Sequence, residues 1–65
     1  MNYYKDYFLR YIAAEPHIRK ASKKHWLTCH AKNVASGRKD LIIFSAKMLG
    51  SIALADDMLE KLGMN

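Results

Sequence analysis

Three histidines, one cysteine, one tryptophan and a run of cations are the side chains of this chain that could do chemistry. His25 and Cys29 stand four residues apart, so on a helix they share a face and could approach one metal ion together. A closed zinc site needs four ligands at paired spacings, and His17 and His30 do not supply them, so no metal is expected. Cys29 beside His30 has the residue types of a nucleophile and its base. Neighbouring helical positions point about 100° apart, which keeps the imidazole away from the thiol. No other catalytic or cofactor pattern occurs, and the expectation is a protein that is not an enzyme and holds no cofactor. The histidines and the thiol read as buried or locally hydrogen-bonded groups.

The cations are segregated. Residues 16–39 hold Arg19, Lys20, Lys23, Lys24, Lys32, Arg38 and Lys39 without one carboxylate, whereas residues 40–65 hold Asp40, Asp56, Asp57 and Glu60 against Lys47 and Lys61. Residues 1–15 balance, so the whole net charge of +5 arises in the middle of the chain. A concentrated positive field attracts polyanions. Lysine and arginine neutralise phosphates and release counterions, which gives affinity without sequence specificity, and a tryptophan can stack on an unpaired base or wedge against a duplex. The expected contact set is Arg19, Lys20, Lys23, Lys24, Arg38 and Lys39, with Lys32 and Trp26 behind them. The plainer reading is a solvated basic face that keeps a small protein soluble. Polyanion binding requires the cations to converge on one face after folding.

Positioning them falls to few elements. With 65 residues the chain forms one domain, residues 1–65, and a domain of that size buries only about 60% of its unfolded surface. One cysteine forms no internal disulfide and no zinc pattern substitutes for it, so stability must come from efficient helix packing or from a second subunit. A lone Cys29 suits a reducing compartment, and the N-terminal residues lack the pattern of a signal peptide; the cytoplasm is expected. The most apolar run, residues 41–55, includes Lys47 and falls short of the roughly 20 residues that span a bilayer, so no membrane is expected.

The spacing predicts three helices and an all-α fold. Tyr4, Tyr7, Phe8 and Tyr11 recur at intervals of three and four, giving an amphipathic helix over about 3–14 with tyrosine hydroxyls at the rim of the core. Pro16 bends the chain and suits the first turn of a second helix, about 17–35, which Gly37 closes. The third helix, about 39–62, puts Leu41, Phe44, Met48, Ile52, Ala55, Leu59 and Leu62 on one stripe. Ile42, Ile43, Ala46, Leu49, Gly50, Ala53 and Leu54 lie opposite, so this helix should be central, with its first half covered on nearly every side. Ala46, Gly50 and Ala53 form a small-residue seam suited to a closely approaching backbone, either another helix of the same subunit or a partner such as a second copy.

The second helix is harder to read. Ile18, Ser22, His25 and Cys29 share one face and Leu27, Ala31 and Val34 a nearly opposite one, so the helix is expected either to break near residues 25–27 or to be covered from different sides. Helices two and three have the lengths of a helix-turn-helix, but the groove-reading positions would be Leu41, Ile42, Ile43 and Phe44, which offer no donors to base edges. Any nucleic acid contact is therefore expected at the phosphate backbone of DNA or RNA. The competing expectation is a small interaction module or inhibitor that docks its basic face on an acidic protein surface, or its apolar seam on a partner helix.

Overall fold

The chain folds as three α-helices, α1 Tyr3–Ala13, α2 Pro16–Ser36 and α3 Lys39–Lys61, in a computed structural model that describes residues 3–64. Each boundary lies within one residue of the sequence expectation, because the punctuation is chemical. Glu15 is extended (φ −69°, ψ 154°), and Pro16 opens α2 where its missing N–H has no intrahelical partner to lose. Gly37 closes α2 in the left-handed conformation, φ 72°, its N–H bonding the carbonyls of Asn33 and Val34 at 3.1 Å. Arg38 is extended and α3 starts immediately, with Asp40 in its first turn and Lys61 in its last, as the helix dipole favours. No helix among the described residues is long and apolar enough to cross a membrane.

The apolar stripe of α3 builds the core. Met48, Ile52, Ala55 and Leu59 are fully buried together with Tyr11 of α1. Tyr7, Phe8 and Ile12 of α1 and Trp26 of α2 pack against them. Both α1 and α2 lie along α3, which is the central helix as its stripe implies. Burying each large side chain of that stripe is worth about 1.5–3 kcal/mol.

Two expectations need correction. The first half of α3 is not covered on nearly every side: Ile43 is 55% exposed, Ala46 and Gly50 are exposed with it, and the open face continues into the second half through Ala53 and Leu54, the latter 57% exposed. A Cβ added at Gly50 would meet nothing within 4 Å, so no helix of this subunit uses the small-residue seam. The cause is geometric, since α1 and α2 share one side of α3. The molecule measures 38 × 25 × 16 Å, and its thin dimension matches two stacked helix layers of roughly 13–15 Å between outer Cα atoms.

The second correction concerns α2, which is one unbroken helix. Neither of its apolar stripes faces the core as a whole, since of the first only Ser22 turns inward with Cys29 half-buried, and the second is exposed throughout. Its inward face is Arg19, Ser22, Trp26, His30 and Asn33, while Ile18, His25, Leu27 and Val34 are exposed. Directional bonds fix this orientation. Ser22 and Tyr7 share a hydrogen bond of 2.5 Å, His30 Nδ1 lies 2.7 Å from Ser45 Oγ, and Asn33 donates to the Leu41 carbonyl at 3.1 Å and to Ser45 at 3.3 Å. Ser45 is fully buried, and every buried side-chain polar atom among the described residues has a partner.

This division of labour is testable by urea unfolding followed by circular dichroism. Leu59→Ala should lower stability by about 2–5 kcal/mol through loss of burial and the cavity left behind. Leu27→Ala should change it by no more than about 0.5 kcal/mol. Equal effects would mean that α2 buries Leu27.

Candidate polyanion interface

Four-residue spacing on α2 generates a row, since each such step rises about 6 Å and keeps to one inclined ridge of the helix. Lys20, Lys24, Thr28 and Lys32 occupy one such ridge, all exposed. The hydroxyl of Thr28 donates back to the Lys24 carbonyl at 3.0 Å, leaving the row lined by ammonium groups. Arg38 and Lys39, also exposed, stand beyond the end of α2 at the turn into α3, six and seven residues after Lys32. Lys20, Lys24, Lys32, Arg38 and Lys39 make no ion pair among the described residues.

The other two cations of the expected set behave differently. Arg19 is 6% exposed, so the expectation that it grips phosphate is corrected. Its guanidinium donates to the Ala14 carbonyl at the end of α1 and to the Met64 carbonyl, at 3.4 Å, beyond the end of α3. Five donors in a fixed fork suit it to tie two chain segments together. Lys23 points its ammonium at Asp56, 3.3 Å from Oδ2, while Asp56 Oδ1 accepts the Tyr11 hydroxyl at 2.6 Å. Glu60 lines the same cleft as Arg19, Lys20 and Lys23. Because α3 runs back against α2, its acidic end meets the first turns of the basic helix and offsets part of the field there. The cations therefore divide into a partnered pair, buried Arg19 and exposed Lys23, and an outer group of five.

Trp26 also departs from its expected role. It is half-buried, and its ring meets Tyr7 at 6.1 Å, Phe44 at 5.7 Å and His25 at 5.5 Å between centroids, all nearly perpendicular. Edge-to-face packing of this kind makes Trp26 the junction of the three helices rather than a free stacking surface. Tyr3 and Tyr4 pack on Phe44 from the other side, at 5.7 and 6.0 Å.

The histidines and the thiol sit apart. Cys29 Sγ lies 3.6 Å from His25 Nε2, His17 Nδ1 lies 3.4 Å from Glu15 Oε2, and His30 is held by Ser45. No group of three or more candidate metal ligands comes together among the described residues. Ala46, Gly50 and Ala53 are exposed on the side of α3 turned away from the core.

Sequence reasoning missed two polar clusters, Tyr11 with Asp56 and Lys23, and Ser45 with His30 and Asn33. A signal for the second was present, because Ser45 falls four residues after Leu41 and three before Met48, on the core stripe of α3. No protein-family model, curated protein or solved structure matches this chain.

Burial, the hydrogen bond to Asp56 and the charge of that carboxylate together push the Tyr11 phenol well above its ordinary range. A folded-state pKa above the unfolded value means that folding favours the protonated phenol. The associated stability is fully present below about pH 10 and is lost as pH rises through the folded value. Urea midpoints at about pH 8 and about pH 11 should thus diverge more for the wild type than for Tyr11→Phe. An equal fall in both proteins would show that Tyr11 does not contribute.

Proposed function

We propose that this chain is a small, non-enzymatic, cytoplasmic basic protein that binds the phosphate backbone of DNA or RNA through the outer row of α2 and the α2–α3 turn. One observation supports the reading above the others: Lys20, Lys24, Lys32, Arg38 and Lys39 are exposed and without an ion-pair partner among the described residues. Exposed ammonium groups release phosphate counterions at little desolvation cost, whereas Arg19 is occupied internally and Lys23 would first leave Asp56. Affinity should be independent of base sequence, because the row offers charge and no groove-reading donors.

The exposed apolar stripe of Leu27 and Val34 beside the lysines favours a second reading, an acidic protein surface with apolar residues among its carboxylates. Nuclease treatment separates the two. Material captured from lysate that nuclease removes supports the first, and an acidic protein retained after nuclease supports the second.

Salt dependence tests the mechanism. If the five outer cations each neutralise one phosphate of duplex DNA, log affinity against log salt should fall with a slope of about −4.5. Replacing Lys20, Lys24 and Lys32 together by Gln should make that slope shallower by about 3, and Lys23→Gln should change it by less than Lys24→Gln does. Binding with a flat salt response, or a triple variant that binds undiminished, would remove the proposal.

A further inference from the structure

The bare face of α3 is self-complementary, and we infer that it docks on a second copy of this chain, with the two α3 helices antiparallel across a two-fold axis. Three features of this face carry the inference, none of which depends on the polyanion reading. First, the face is apolar and exposed: Ile43 and Leu54 stand out from α3 on either side of Gly50 and are over half exposed. Second, it offers a socket, because the space above Gly50 is open within 4 Å of where a Cβ would be. Third, its charges are ordered along the helix, with Lys47 before the socket and Asp57, paired with Lys61, after it.

The order of the charges decides the orientation. A parallel pair would set Lys47 against Lys47 and Asp57 against Asp57, which is repulsive at both ends. An antiparallel pair can be placed so that Leu54 of each copy enters the Gly50 socket of the other. Residue numbers facing each other then share a constant sum, so Lys47 faces Asp57 of the second copy, and the two-fold repeats the pair at the other end. The same register places Met58, 41% exposed, over Ala46. Leu54 and Met58 thus meet small residues and Lys47 meets Asp57 under one displacement of the helices, while Ile43 comes opposite the stem of Lys61. Small residues at such a seam allow close helix approach. In the monomer neither charge is held firmly, since Lys47 Nζ lies 5.7 Å from the centre of the Tyr4 ring and Asp57 pairs at 3.0 Å with Lys61, both groups largely exposed. One helix-on-helix contact is at the small end of stable interfaces, below about 1,200 Å² in total, so a monomer–dimer equilibrium is expected rather than a permanent dimer.

Sedimentation of the whole chain from about 1 μM to about 1 mM tests this, a range that brackets weak self-association. The wild type should shift from monomer to dimer across it. Gly50→Leu should weaken dimerisation at least tenfold; because the site is open in the monomer and lies within a helix, the same variant should keep or raise the helix content and thermal midpoint, which separates a blocked interface from a misfolded chain. Lys47→Asp and Asp57→Lys should each weaken association, and the double variant should restore it. A wild type that stays monomeric throughout, a dimer indifferent to Gly50→Leu, or a double variant no better than its parents would each overturn the proposal; the first of these would leave the face to a different partner.

Discussion

The stripe of Met48, Ile52, Ala55 and Leu59 along α3 is the constraint from which the architecture follows. In a chain this short it is the main apolar surface that can be buried completely, and the other two helices are placed by the need to cover it. The first helix brings aromatic bulk, with Tyr11 buried and Tyr7, Phe8 and Ile12 around it. The second brings Trp26 and otherwise polar groups. Two helices laid side by side over one stripe form a second layer, and a two-layer molecule necessarily leaves the outer side of its single-helix layer in water.

The polar docking of α2 explains why its apolar residues are displaced. A stripe of Leu27, Ala31 and Val34 could have turned inward, but that rotation would bring Lys20, Lys24 and Lys23 toward the core and strip His30 and Asn33 of Ser45. Ser45 would keep only its bonds to the Leu41 and Ile42 carbonyls of its own helix, and two interhelical hydrogen bonds worth about 0.5–1.5 kcal/mol each would be lost, together comparable with what an exposed leucine forfeits by staying in water. Hydrogen bonds also have direction where apolar contact has none, so the Ser45, His30 and Asn33 cluster and the Tyr7–Ser22 bond select one rotation of α2 among several of similar apolar burial.

Helix number, order and ends were legible because each is written in residues with one physical meaning. Pro16 cannot sit in mid-helix, Gly37 takes a φ that other residues avoid, and the α3 stripe repeats with the period of the helix. The face of α2 was not legible, because its inward positions carry no apolar period: Arg19, Ser22, His30 and Asn33 look like surface residues until their partners on α1 and α3 are known. Arg19 shows the limit most directly. A count of charges treats it like Lys20, its neighbour, yet one step of about 100° on the helical wheel separates a buried clamp on two carbonyls from an exposed ammonium. The exposed outer face of α3 was misjudged for a related reason, since apolar composition states that a surface prefers to be covered and says nothing of whether this chain has a helix left to cover it.

The distribution of charge in the folded molecule has the same origin. Because α2 and α3 are antiparallel, the negative end of one helix dipole adjoins the positive end of the other at both ends of the hairpin, and the two contributions largely cancel. Side-chain placement then decides the field. At the foot of α2 the returning carboxylates of Asp56 and Glu60 share a cleft with Arg19, Lys20 and Lys23, so part of the positive charge is offset where the sequence is most densely basic. Farther along, Lys24, Lys32, Arg38 and Lys39 have only Asp40 close to them in the chain. The charge that a polyanion would meet is therefore least offset from Lys24 to Lys39, whereas Lys20 and Lys23 share their end of α2 with the acidic end of α3.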